Sequence, residues 1–239
     1  MRPYQRCLLG LSMAGALQLA SCTSQQTKDG ETMTTEQTAT ERLSADVHSF
    51  AQPAEAVAKH LDLDIEVNFD QKTISGTASY LIDNLTGTDK IIFDSRGLQI
   101  DKVYLGDEMA ETTFQLGESN SYLGQPLTVN IKPDTRKVTI KYTTSPDAAA
   151  LQWLSPQQTA GKKYPFLFTQ SQAILARTWI PIQDSPGIRI TYNAKVKVPK
   201  ELLAVMSAEN PVEKNSTGEY TFEMKQPIPS YLMALSVGD

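Results

Sequence analysis

The sequence predicts an all-β protein, mostly antiparallel, arranged as a sandwich or saddle of sheets. Three observations carry that expectation. Several long runs alternate apolar and polar residues with period two, turn-forming residues separate them, and no stretch beyond about ten residues holds a 3.6-residue period.

The run HLDLDIEVNF (60–69) places Leu61, Leu63, Ile65, Val67 and Phe69 on one face and polar residues between them, as a half-buried strand requires. The longest case is IRITYNAKVKV (188–198), where Ile188, Ile190, Tyr192, Ala194, Val196 and Val198 alternate with Arg, Thr, Asn and Lys. Shorter alternating runs lie at 74–82, 127–131, 138–142 and 220–224. Between 98 and 105 the phase slips at Asp101-Lys102, which predicts a bulge or a bend. Turn signals fall at 84–87, 106–107, 117–124 and 133–134. Short helical turns are expected within 151–160 and 171–177. The segment YLMALSV (231–237) is apolar with little alternation and reads as a strand buried on both sides.

With 239 residues, 40% hydrophobic and 21% charged, the chain can bury a core as one large domain or two small ones. Its 22 Lys and Arg against 27 Asp and Glu give a net charge of −5 and no basic stripe, which argues against a nucleic-acid partner. The two cysteines, Cys7 and Cys22, support neither a disulfide framework nor a Cys-based zinc site. Two histidines four positions apart are needed for a His-Glu-Xaa-Xaa-His helix, and His48 and His60 do not meet that spacing.

Residues 1–21 carry Arg2 and Arg6, then an apolar stretch and small residues, the pattern of a signal peptide. Its end, Leu19-Ala20-Ser21-Cys22, resembles the bacterial lipobox, in which Cys22 becomes the lipidated first residue. Thr23 rather than Asp follows, which implies an exported lipoprotein at the outer membrane, attached through Cys22. A plain secretory signal with an incidental cysteine would share the apolar run. Residues 22–56, rich in Thr, Gln, Ser and Glu, read as a disordered tether between that anchor and a β domain over 57–239.

His60, Asp62, Asp64 and Glu66 share the polar face of one strand and superficially resemble a metal cluster. Alternate strand positions stand nearly 7 Å apart, so four in a row cannot close on one ion, and a solvated face is expected. No Ser-His-acid arrangement, Gly-rich phosphate loop or paired carboxylates stand out, and Asn215-Ser216-Thr217 is uninformative in a bacterial lipoprotein. The informative region is 145–186, where Gln170 and Gln172 interrupt an apolar, aromatic segment containing Phe166, Phe168, Ile174 and Trp179. Such amides either satisfy backbone groups or line a pocket and hydrogen-bond a peptide-like ligand.

The segments AAALQWL (148–154), YPFLFTQSQAI (164–174), IPIQDSP (180–186), VPKEL (198–202) and PIPSYL (227–232) together resemble the amino-terminal domain of the leukotriene A(4) hydrolase and aminopeptidase N family of zinc metallopeptidases. The similarity runs from about residue 59 to 239 with the same element order. It implies a saddle-shaped β domain that forms one wall of a substrate cleft. It also implies that Gln170, Gln172 and Ala173 face the amino-terminal end of a bound peptide. Aminopeptidase N relatives carry an acid where Gln172 stands, which places the chain nearer the leukotriene hydrolase branch.

In that family the catalytic domain begins about where this sequence stops, and it supplies the zinc, the His-Glu-Xaa-Xaa-His helix, a distant Glu ligand and a Gly-Xaa-Met-Glu-Asn segment. None of these occurs in the 239 residues. The resemblance therefore implies no cofactor and no catalytic residue in this chain, and a fragment or truncation that binds without hydrolysing. A peptide-binding surface lipoprotein that works alone is the alternative.

Overall fold

The computed structural model describes residues 46–239. The signal peptide, Cys22 with its lipobox, and the tether before residue 46 lie outside the described residues.

Fourteen strands follow one another among the described residues: β1 (Ala56–Asn68), β2 (Thr73–Asn84), β3 (Lys90–Ser95), β4 (Gln99–Leu105), β5 (Ala110–Thr112), β6 (Phe114–Leu116) and β7 (Gln125–Asn130), then β8 (Lys137–Thr143), β9 (Leu151–Leu154), β10 (Phe166–Thr169), β11 (Arg189–Lys197), β12 (Leu203–Met206), β13 (Glu219–Pro229) and β14 (Leu235–Gly238). They form a seven-stranded sheet in the order β13-β11-β1-β2-β8-β4-β5, a four-stranded sheet β12-β14-β10-β9 and a three-stranded sheet β3-β7-β6. Pairing is antiparallel apart from β1 with β11, which run parallel in register from His60↔Thr191 to Glu66↔Lys197.

Alternation decides which way the strands face. Leu61, Leu63, Ile65 and Val67 of β1 and Ile190, Tyr192, Ala194 and Val196 of β11 are buried in one core, while His60, Asp62, Asp64 and Glu66 point outward. Those four outward groups spread along the strand as expected: His60 bonds Thr191 Oγ1 (2.7 Å), and Glu66 pairs with Lys197 (3.3 Å). The phase slip near Asp101 is a register shift between Ile100 and Lys102 where β4 meets β8. Phe69, just past the end of β1, meets Trp153 edge-on at 5.4 Å.

Two sequence expectations need correction, those for the tether and for the strand over 231–237. Positions 46–56 of the presumed tether are held against the domain: Ser49 Oγ and the Phe50 N–H donate to Asp94 (2.5 and 2.7 Å), and the His48 carbonyl accepts from Arg177 (2.7 Å). Polar composition concealed them because the apolar groups that anchor them are small, Ala51, Pro53 and Ala56, and hydrogen bonds supply the rest. The short helical turn expected within 151–160 is the 3₁₀ turn Pro156–Gln158, preceded by the strand Leu151–Leu154, and the one expected within 171–177 is the 3₁₀ turn Ala176–Thr178, which ends one residue later. The strand expected over 231–237 begins at Leu235, because Ser230–Leu232 makes a 3₁₀ turn once the Ser230 hydroxyl is drawn to Asp184 (2.5 Å). From there β14 runs between β12 and β10.

Gly76 sits opposite Ile65 where β1 and β2 pair, at φ +154°, and a Cβ there would run into the Asp64 carbonyl oxygen. Gly76→Ala is expected to lower unfolding stability by roughly 1–3 kcal/mol in urea titration, since a strained backbone must be forced apart. An unchanged midpoint would contradict that close approach.

Candidate functional site

The amide-bearing segment leaves the end of β10. The Gln170 N–H continues the sheet by donating to the Ala150 carbonyl (2.9 Å). Ser171 then turns inward, its hydroxyl donating to the Met233 carbonyl (2.6 Å) and accepting from Trp179 Nε1 (3.1 Å). With Ser171 fixed inside, Gln170 and Gln172 face out, and Ala173 is exposed beside them after a cis Gln172–Ala173 peptide. Among the described residues the two side-chain amides take no hydrogen-bond partner. Gln183 behaves in the opposite way. It is buried, and its amide accepts from the Ala58 N–H (2.9 Å) and donates to the carbonyls of Ala56 (3.1 Å) and Ile92 (3.2 Å).

Behind this segment Arg177 is fully buried between two buried carboxylates. Its Nε donates to Asp184 Oδ2 (3.0 Å), and Nη1 stands 3.7 Å from Asp94 Oδ1. Nη1 also donates to the Leu123 carbonyl (2.8 Å), and Nη2 to the carbonyls of His48 (2.7 Å) and Asp184 (3.1 Å). Asp94 further accepts from the Asp184 N–H (2.8 Å). Burial raises the Asp94 carboxyl pKa above its ordinary value, against the opposing pull of Arg177 and of the bonds from Ser49, Phe50 and Asp184. On the far side, the Tyr80 hydroxyl donates to the Pro181 carbonyl (2.7 Å), tying β2 to the same loop.

Gln172 and Ala173 line a cavity of ≈330 Å³ together with Asp46, His48, Tyr122 and Tyr231. Gln170 does not line it, although the sequence grouped it with the other two. Asp46, Tyr122 and Tyr231, and the anchors Arg177, Asp94 and Asp184, were not anticipated. One signal was available: Arg177 is a lone charge inside the apolar run AILARTWI, which requires a buried partner. Among the described residues no group of three or more His, Cys, Asp or Glu side chains is placed to hold a metal ion. His60 is occupied by Thr191 and Asp62, so the residues present do not fit a zinc site.

The profile of the peptidase M1 N-terminal domain matches residues 57–232. The chain belongs to the peptidase M1 N-terminal domain family. It is 39% identical to leukotriene A-4 hydrolase of Xenopus laevis over 205 residues, covering 81% of this chain and 33% of that protein. It is 35% identical to leucine aminopeptidase 2 of Yarrowia lipolytica over 179 residues, covering 73% and 27%. The chain thus spans about a third or less of these relatives' length.

Yeast LTA4 hydrolase in complex with bestatin superimposes with a TM-score of 0.74 at 31% identity, covering 82% of this chain and 30% of that one. An M1 zinc metallopeptidase from Deinococcus radiodurans shares the fold at 20% identity and a TM-score of 0.59, covering 77% and 42%. The M1 N-terminal assignment agrees with the all-β, mostly antiparallel architecture described above.

The contrast between the amides is testable in this M1 N-terminal domain. Gln183→Ala strips three buried backbone groups of their partner and is expected to cost about 2–3 kcal/mol in chemical denaturation. Gln172→Ala should stay within about 0.5 kcal/mol of the parent, as exposed substitutions do. Equal costs would mean that Gln172 is structural.

Proposed function

We propose that this domain is the substrate-facing wall of an exported, zinc-dependent aminopeptidase, holding the amino-terminal end of a peptide against Gln170, Gln172 and Ala173. The observation that carries this reading is the pair of outward amides on a segment whose backbone is fixed from behind, with Gln172 and Ala173 lining a cavity. An amide offers both a donor and an acceptor, so it matches a peptide main chain in either direction. Relatives named as a hydrolase and a leucine aminopeptidase support the substrate class.

The metal-dependent step belongs to residues outside this set, since the donors present do not fit zinc. What these side chains supply is binding and orientation. Phe168 on β10 and Leu232 beside Tyr231 are 38% and 49% exposed, flanking the amide segment with apolar surface suited to a second domain. The signal-like residues 1–21 and Cys22 support export and attachment to the outer membrane.

Three outcomes are expected. Purified chain supplied with zinc releases no amino acid from leucyl peptides, and turnover by it would sink the reading. In NMR titrations with a short leucyl peptide, Gln172→Ala weakens binding roughly five- to tenfold, the worth of about one hydrogen bond, and unchanged affinity would contradict the assignment. Cells fed radiolabelled palmitate label the protein but not Cys22→Ser, and equal labelling would remove the lipid anchor.

A further inference from the structure

The buried cluster behind the amide segment holds one guanidinium and two carboxylates, so it carries one negative charge in excess. Arg177 is committed to Asp184: its Nε and its backbone N–H both donate to Asp184 Oδ2 (3.0 and 3.2 Å), whereas Nη1 stands 3.7 Å from Asp94. The excess charge therefore resides on Asp94. Three dipoles meet it there, the Ser49 hydroxyl (2.5 Å), the Phe50 N–H (2.7 Å) and the Asp184 N–H (2.8 Å). Two of the three come from residues 46–50.

That segment has little else to hold it. Val47 is 79% exposed, and neither Val47 nor Phe50 packs on the hydrophobic core. Among the described residues, its one further hydrogen bond to the rest of the domain runs from Arg177 to the His48 carbonyl (2.7 Å). Beyond it Pro53 is buried, and the turn in which the Glu55 N–H donates to the Gln52 carbonyl (2.9 Å) forms a fixed hinge.

Hydrogen bonds donated to a carboxylate favour its charged form, and such coupling is reciprocal, so docking of this strap depends on the charge of Asp94. A proton on either Asp94 oxygen would turn an acceptor towards groups that are themselves donors. Relative to an undocked strap, the docked one depresses the Asp94 pKa; docking is favoured above that pKa and lost as pH falls through it. Burial is the larger influence and raises the pKa, so the proton arrives at a higher pH than at an ordinary aspartate. The other titratable groups nearby are accounted for. Burial raises the pKa of Tyr80 on β2, Arg96 donates to the Tyr122 carbonyl (3.5 Å), and Asp46 and His48 pair with each other at 3.6 Å.

We propose that residues 46–50 form a proton-released strap, docked while Asp94 is charged and freed when it takes up a proton. Release withdraws Asp46 and His48 from the cavity they line with Gln172, and so opens one of its walls. The proposal stands apart from the peptide-wall reading, because no ligand enters it and its failure leaves that reading untouched.

The test follows backbone amide and carboxyl ¹³C NMR signals of the chain from about pH 8 to about pH 3. Amides of 47–50 should shift with the same midpoint as the Asp94 carboxyl and lose their heteronuclear NOE, while those of β1 and β2 keep theirs. Ser49→Ala removes one bond to the anion and should raise that shared midpoint by roughly one pH unit, a tenfold gain in proton affinity. Asp94→Asn, uncharged at every pH, should leave 47–50 mobile at neutral pH; if that variant does not fold, Ser49→Ala decides alone. A strap that stays docked after Asp94 is protonated overturns the proposal. So do strap signals that follow the His48 ring instead, a midpoint unmoved in Ser49→Ala, or a strap lost only together with β1 and β2.

Discussion

The buried guanidinium of Arg177, set between Asp94 and Asp184, is the interaction on which the functional region depends. Three charged groups are removed from water there, and removing one partner of such a set typically costs about 3–5 kcal/mol because the others are left buried and uncompensated. Such a cluster contributes little net stability compared with apolar packing, but it specifies geometry. Each cavity wall is tied to it: the 46–50 segment through the His48 carbonyl and Asp94, the Tyr122 loop through the Leu123 carbonyl, and Tyr231 through the bond from Ser230 to Asp184. Gln172 and Ala173 lie five and four positions before the arginine itself.

The sheets make that cluster possible. β3 carries Asp94 to its buried end, where an isolated bridge with Ile182 brings the 176–186 loop alongside. Gln183 locks the same loop to β1 and β3, and Ser171 with Trp179 closes it onto the turn before β14. The amides are thus presented by an irregular segment whose backbone is tied at Ser171 and, through Arg177, at Asp184. This is the arrangement expected of a binding wall, where rigid support leaves the outward side chains free for a ligand.

The long strands were legible because one face of each is buried and the other wet, so Leu61 to Val67 and Ile190 to Val196 could be assigned from alternation alone. Even the irregularity at Asp101 left its trace as a phase slip. The parallel pairing of β1 with β11 was not legible, since alternation specifies faces and not neighbours. Strands of three or four residues such as β5, β6, β9 and β12 are too short to show a period. β3 ends on buried Asp94 and Ser95, and Asp94 reverses the expected polarity because it serves the arginine cluster rather than the apolar core. Gln172 and Ala173 came from resemblance, and the structure then separated them from Gln183, which composition could not do. Asp46 was hidden in a segment whose polar make-up resembles a tether.

The most direct measurement is native-state hydrogen exchange on the chain with Arg177→Lys, which keeps the charge but loses the planar fork that reaches Asp184, Leu123 and His48 together. If the buried arginine holds the cavity walls as one unit, amides in 46–50, 120–124, 171–175 and 230–233 lose protection in concert, while those of β1, β2 and β8 keep theirs. Loss confined to one of these segments, or no loss in any, would contradict the dependence of the site on that single side chain.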